Sequence, residues 1–299
     1  MFTGCGTALV TPFRRDGSLD EDTLRRLVRW QVESGIHFLV PCGTTGESPT
    51  LLHQEHLRVV EITLEEAKGK VPILAGCGGY STGAVVELAR ELERMEVDGL
   101  LSVTPYYNKP TPEGLYQHYS AIAAATRLPI VVYNVPSRTG SNITPATLAR
   151  LASIDNLVGV KEASGDIGQM AEIFQVVPKT FSVLSGDDSV TLALMALGGV
   201  GVISVASNEI PAEMSQLCEA CAAGDFERGR EIHRRYHALM EVNFIESSPG
   251  PVKAALALMG RSELAYRLPM VPPRPESQAK IEEVLTGVGL VQPIAASAD

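Results

Sequence analysis

Short unbroken apolar runs alternate with amphipathic segments along the first two-thirds of the chain. The runs are Ala8-Leu9-Val10, His37-Phe38-Leu39-Val40, Val71-Pro72-Ile73-Leu74-Ala75 and Gly99-Leu100-Leu101-Ser102-Val103. They continue as Pro129-Ile130-Val131-Val132-Tyr133, Asn156-Leu157-Val158-Gly159-Val160, Phe181-Ser182-Val183-Leu184 and Val200-Gly201-Val202-Ile203-Ser204-Val205. Each is continuous and often β-branched, the pattern of a strand covered on both faces. The segments between them read as helices. Asp20 is placed to cap the first, Leu24, Leu27, Val28 and Val32 follow at helical spacing, and Gly35 ends it. Ser81 opens another, with Val85, Leu88, Ala89, Leu92 and Met95 on one face, and Pro112 suits the first turn of the next. Eight strand–helix units in roughly 220 residues predict the α/β class and a closed (β/α)8 TIM barrel. The rival, an open doubly wound sheet, usually carries a glycine-rich dinucleotide fingerprint after its first strand, and this chain has none there.

After Gly224 the strand pattern stops. Residues 225–243, 250–259 and 275–285 read as helices, and the proline-rich stretch 269–275 as a stiff connector. The Ala/Ser-rich tail at 293–299 is expected to fray. The expected division is a catalytic barrel at 1–224 and a small helical extension at 225–299.

Composition narrows the function classes. Apolar residues make up 45% and charged residues 20% of the 299, ordinary for a globular chain and unlike a disordered or fibrous one. A net charge of −10 argues against a nucleic-acid binder, which needs a basic face. A small anionic substrate stays open, since one or two local cations suffice for it. Five scattered cysteines do not suggest a disulfide framework and fit a reducing compartment. The amino end shows no signal-peptide pattern, and no apolar run is long enough for a membrane span, so a cytoplasmic location is expected.

In such a barrel the chemistry sits on loops at the carboxyl ends of the strands. Of seven lysines, only Lys161 directly ends an apolar strand run. Burial over a barrel core strips solvent from an ammonium, lowers its pKa and exposes a nucleophilic amine. Such an amine forms an imine with a carbonyl substrate; the alternative is a strand-end lysine paired with Glu162. The string Gly43-Thr44-Thr45-Gly46-Glu47 lacks the lysine of a phosphate-binding loop. Its glycines permit a sharp turn on which Thr44 and Thr45 can converge on a carboxylate, or it is a plain turn with a threonine helix cap. Tyr133 ends a strand and is either a proton relay or core packing. Arg138, in a Pro/Gly-shaped loop, is either a bidentate carboxylate ligand or a surface arginine. Asp187 and Asp188 either line the mouth or cap the next helix. Cys218 and Cys221 lie in a helical pattern without a second pair and read as packing, and His53 with His56 lacks further metal ligands.

Together these loops resemble the pyruvate-dependent Schiff-base aldolase family over essentially the whole chain. The resemblance is carried by Gly6-Thr7-Ala8-Leu9-Val10-Thr11-Pro12-Phe13, Gly43-Thr44-Thr45-Gly46-Glu47-Ser48 and Tyr106-Tyr107-Asn108-Lys109-Pro110. Tyr133-Asn134-Val135-Pro136-Ser137-Arg138-Thr139-Gly140 and Val160-Lys161-Glu162-Ala163-Ser164-Gly165 complete it. It is closest to the branch that joins pyruvate to L-aspartate 4-semialdehyde to give 4-hydroxy-tetrahydrodipicolinate, at the head of diaminopimelate and lysine synthesis. The resemblance implies that Lys161 forms the imine and that Thr45 holds the pyruvate carboxylate. It implies a proton relay of Tyr133, Thr44 and Tyr107, with Tyr107 supplied by a neighbouring subunit. Arg138 would bind the semialdehyde carboxylate, and Gly186 and the Ile203 carbonyl would line the pocket. It also implies no metal or organic cofactor and a homotetramer built from tight dimers.

Two departures from the family pattern stand out. Where lysine-inhibited relatives place an Asn and a Glu in the effector cleft, this chain has Tyr80 and Ala84, although Ser48, His53, His56 and Tyr106 remain. Ser247-Ser248-Pro249-Gly250-Pro251 stands where the family usually has Asn-Pro-Ile-Pro. The alternative within the family is a sugar-acid aldolase, such as N-acetylneuraminate lyase or 2-keto-3-deoxygluconate aldolase. A keto-acid binder without turnover is the alternative outside it, and a relay of Tyr133 and Thr44 argues against that.

Overall fold

Eight parallel strands form one barrel in the computed structural model, which describes residues 2–292; the tail at 293–299 lies outside the described residues. They are β1 (Gly4–Ala8), β2 (Phe38–Val40), β3 (Leu74–Gly76), β4 (Gly99–Val103), β5 (Ile130–Asn134), β6 (Leu157–Glu162), β7 (Ser182–Ser185) and β8 (Gly201–Ser204). Hydrogen bonding runs in the order β2-β1-β8-β7-β6-β5-β4-β3. The remaining seam between β2 and β3 is closed by a parallel bridge from Leu39 to Ile73. There the Leu39 amide donates to the Pro72 carbonyl at 3.0 Å.

The apolar runs locate every strand but misplace the first, which covers Gly4–Ala8 rather than Ala8-Leu9-Val10. Its early positions are glycines because the barrel leaves them no room. A Cβ at Gly6 would stand 2.1 Å from the Phe38 ring, and one at Gly201 would stand 1.9 Å from the Gly4 carbonyl oxygen. A strand that needs glycine for close approach has a weak apolar signature. The Val10 amide already leaves the ladder and donates to Asn208 Oδ1 at 3.2 Å.

The helices form where their caps and apolar spacing allow. Asp20 accepts the Thr23 amide and opens the helix Glu21–Glu33; Thr111 accepts the Gly114 amide before Pro112–Ala125. Their apolar faces pack on the outer surface of the strands, where Leu24, Val60, Leu92, Ile122, Leu148 and Leu217 are buried. Inside the barrel, Phe38, Leu74, Leu101, Val131, Leu184 and Ile203 fill the axis.

One irregularity orients the chemistry. Between β5 and β6 the pairing steps from Ile130–Leu157 to Val131–Gly159, so β6 carries one extra residue. A bulge of one residue reverses which face later side chains take. Val158 accordingly packs on the inner core, Val160 on the outer one, and Lys161 comes back to the inside beside its strand partner Tyr133.

Beyond β8 come the helices Pro211–Ala222, Phe226–Val242, Gly250–Leu258 and Pro275–Val288. Phe226–Val242 packs on both Pro211–Ala222 and Pro275–Val288. Gly250–Leu258 reaches back to the barrel mouth, where Val252 and Leu256 pack with Val10, Leu27 and Val205. No described helix is long and apolar enough to cross a membrane.

Candidate active site

Lys161 ends β6 inside the barrel and is 5% exposed. Its Nζ lies 4.2 Å from the centroid of the Tyr133 ring. Burial pulls its pKa down to about 7; Asp188 and Asp187 act against that fall and Arg138 with it. A large share of the side chain is therefore uncharged amine at neutral pH. The pairing of Lys161 with Glu162 does not occur. Glu162 faces the other way, accepting the Ser164 amide at 2.8 Å and Asn134 Nδ2 at 3.0 Å.

Tyr133 is buried, and burial raises its phenol to about 12, with Arg138 and the hydrogen-bonded Thr44 side chain acting against the rise. At neutral pH the phenol keeps its proton and is a donor at the edge of the site.

Thr44 and Thr45 sit on a tight turn after β2. The Gly46 amide donates to the Gly43 carbonyl at 3.1 Å and the Glu47 amide to the Thr44 carbonyl at 3.0 Å. Thr11 Oγ1 donates to the Gly46 carbonyl at 2.7 Å, tying the turn to the end of β1. Position 46 is tight, since a Cβ there would stand 3.1 Å from the Leu9 carbonyl oxygen. The threonines do not cap a helix: the next element, Ser48–Thr50, has Glu47 at its cap position. Neither threonine is spent on a helix cap, and Thr44 lines the same cavity as Tyr133, whose phenol it influences.

Arg138 stands on the single helical turn Pro136–Thr139 and donates from Nη2 to the Ser248 carbonyl at 3.2 Å. The Ser248 departure therefore lies at the mouth, in contact with the predicted carboxylate ligand. Arg138 also borders two cavities. One, about 280 Å³, reaches Thr44, Tyr106 and Tyr133; the other, about 360 Å³, reaches Tyr133, Ala163, Gly186 and Asp187. Gly186 packs directly on Lys161, since a Cβ there would stand 3.1 Å from Lys161 Cε. Ile203 lies on β8 in the same inner core as Tyr133.

The acidic pair divides its roles. Asp187 lines the mouth, and neither residue caps the helix Thr191–Ala196, whose cap position is Val190. Asp188 is buried and accepts the amides of Val205 and Ala206 at 3.0 and 2.9 Å, locking the β7 end to the β8 end. Burial raises its carboxyl to about 6. The sequence left Asp188 between two options; the folded chain makes it a fixed acid in the electrostatic field of Lys161.

The family model described as the dihydrodipicolinate synthetase family matches residues 1–288. The chain belongs to this family. It is 54% identical over 290 residues to the 4-hydroxy-tetrahydrodipicolinate synthase of Koribacter versatilis, covering 97% of each chain. The dihydrodipicolinate synthase of Thermotoga maritima superposes with a TM-score of 0.95 at 47% identity, over 97% of this chain and all, 100%, of that one. The chloride-inhibited enzyme of Acinetobacter baumannii, crystallised with pyruvate, superposes with a TM-score of 0.96 at 40% identity, over 97% and 100% of the two chains.

Within this member of the family the single chain assembles Lys161, Tyr133 and Thr44 but not Tyr107. Tyr107 is 92% exposed, at φ 71°, and does not line the cavity that Tyr106 lines. His56 is no metal ligand: its Nε2 is 2.9 Å from the Gly76 carbonyl oxygen, and burial holds the ring neutral with a pKa of about 4. His53 instead meets Glu91 at 2.7 Å. Cys218 and Cys221 are buried in the helix Pro211–Ala222, as the packing reading expects. Among the described residues no group of three His, Cys, Asp or Glu is placed to hold a metal. At the two positions where the sequence departs from lysine-inhibited relatives, Tyr80 stacks edge-on to Tyr106 at 5.3 Å and Ala84 is exposed.

Proposed function

We propose that the chain condenses pyruvate with L-aspartate 4-semialdehyde to give 4-hydroxy-tetrahydrodipicolinate, through an imine on Lys161. The observation that carries this reading is the buried Lys161 amine, titrating near neutrality beside a protonated phenol. The amine attacks the pyruvate C2 carbonyl; a C–N bond forms, and the carbonyl oxygen leaves as water after taking protons through Tyr133 and Thr44. The protonated imine draws electrons from C3, which loses a proton to become an enamine. The enamine carbon then attacks the semialdehyde aldehyde, forming the C–C bond. The substrate's own amine displaces Lys161 from C2, closing the ring and restoring the free lysine. In this scheme Thr45 holds the pyruvate carboxylate, and Gly186 with the Ile203 carbonyl shapes the pocket.

Tyr107 enters the scheme from a second copy of the chain. Its exposure and left-handed backbone project it away from its own barrel, as a residue donated to a neighbour would be. We accordingly read the working form as a homotetramer of tight dimers, acting in the cytoplasm. Residues 1–224 are read as the catalytic barrel and 225–299 as its helical extension.

Arg138 favours this substrate over a sugar acid. Its guanidinium borders the mouth, where the second substrate must arrive, and a fork of donors suits a carboxylate rather than hydroxyls. The test compares aspartate semialdehyde with sugar-acid substrates. Turnover of the semialdehyde is expected, and Arg138→Ala should raise its KM by about 10- to 100-fold while moving the pyruvate KM little. Preferred turnover of a sugar acid would transfer the reading to that aldolase class.

Lysine feedback should be weak. A ligand ammonium needs a charge partner to offset its desolvation, and Ala84 offers none. Inhibition assays should show full activity at lysine concentrations of about 0.1 mM, an amount that corresponds to a binding free energy near −5.5 kcal/mol. Half-inhibition in the micromolar range would refute this.

A further inference from the structure

The mechanism leaves one buried ion pair unused. Lys253, on the helix Gly250–Leu258, contacts Glu47 at 2.5 Å, and the two side chains are 1% and 2% exposed. Glu47 directly follows the Thr44/Thr45 turn and holds a left-handed backbone at φ 52°, which is unfavourable for a residue with a side chain. From that position its carboxylate meets a cation of the helical extension. Lys253 Nζ also lies 4.4 Å from the Phe13 ring centroid and 5.1 Å from that of Tyr266.

A second cation from the extension grips the same loop. Arg267 binds both oxygens of Glu55 at 2.6 Å, and donates to the Thr50 carbonyl at 3.0 Å and the Gly17 carbonyl at 2.8 Å. Its guanidinium carbon lies 4.3 Å from the Phe13 centroid. The loop after β2 is thus held from one side by Thr11 and from the other by Lys253 and Arg267.

We propose that the Glu47–Lys253 pair is a clamp through which the helical extension positions Thr44 and Thr45 for the substrate carboxylate and the proton relay. Glu47 and Lys253 are then positioning residues for the imine-forming step. The physical argument is one of cost. Two fully buried charges seldom stabilise a fold more than a well-packed apolar pair does, so their value lies in selecting one geometry. Here the selected geometry is the turn closed by the Glu47 amide on the Thr44 carbonyl, which places Thr44 in the same cavity as Tyr133. Rotating the Glu47 peptide out of the left-handed region would re-aim the residues just before it. The inference rests on the reading of Thr45 as a pyruvate carboxylate ligand.

The test measures thermal midpoint, kcat and KM for both substrates in E47Q/K253M, Glu47→Asp and Thr45→Val. The double variant removes both charges, so its midpoint should stay near wild type. Its pyruvate KM should nevertheless rise about tenfold, with kcat changed less and the semialdehyde KM unmoved. Glu47→Asp keeps both charges but withdraws the carboxylate by one methylene; it should raise the pyruvate KM while folding normally, and covers the case of a poorly folded double variant. A wild-type pyruvate KM in either folded variant, or equal losses for both substrates, would overturn the clamp. Thr45→Val should raise the pyruvate KM by a similar factor. If it does not, the carboxylate reading of the loop fails, and the clamp falls with it for that separate reason.

Discussion

Lys161→Ala is expected to lose all borohydride-trapped pyruvate adduct and to lower kcat/KM by about 10⁴-fold or more, the scale seen when a covalent nucleophile is removed. In the wild type, trapping should accelerate as pH rises through about 7, because only the free amine attacks. This group's contribution to stability should move in the same direction as activity. Unfolded, the lysine titrates near its usual 10.5; folded, near 7. Between those values the unfolded chain binds the extra proton, so this group's contribution to stability improves as pH rises across that window. Below pH 7 both states are protonated and the burial penalty stands in full, on the order of a few kcal/mol. Lys161→Met, similar in volume but never charged, should therefore be inactive yet more stable at neutral pH, with a flatter stability profile above it. Thermal melts across the pH range check this, and intact-protein mass spectrometry after borohydride checks the adduct. An adduct surviving in Lys161→Ala would place the imine on another amine.

The second large effect is expected from Tyr133→Phe. Removing one oxygen leaves the ring beneath the Lys161 amine in place but deletes the proton donor. Proton transfer by a positioned side chain contributes about 10²- to 10⁴-fold, and kcat should fall by that order while the pyruvate KM changes little. Because burial holds the phenol at about 12, it acts at neutral pH as a donor and relay and not as a standing base. The loss should therefore persist across neutral pH instead of being recovered by alkali. A kcat within a few-fold of wild type would return Tyr133 to a packing role and leave the proton path to Thr44 and solvent.

Arg138 and Ser248 show how a departure in one motif acquires meaning through another. The sequence marks Arg138 as a candidate carboxylate ligand and Ser248 as part of a departure but has no way to join them; the fold brings the guanidinium to the Ser248 carbonyl at 3.2 Å across 110 positions. The first strand shows the opposite failure. Glycines demanded by close packing erased the apolar signal, and the reading slid toward Leu9 and Val10.

The pattern of apolar runs and caps determined the barrel class, the number of strands and which residues stand at strand ends, because strand burial and helix capping are written within a few neighbouring positions. It also supplied the chemistry, since a lone strand-end lysine, paired threonines and a tyrosine are types with definite reactivity. Which face Lys161 takes was decided only by the extra residue in β6, a matter of pairing between strands. Its lowered pKa was decided by burial, which depends on every element closing around it. The contact between Glu47 and Lys253 joins residues 206 positions apart. Desolvation and register belong to the assembled barrel, so no local window of residues contains them.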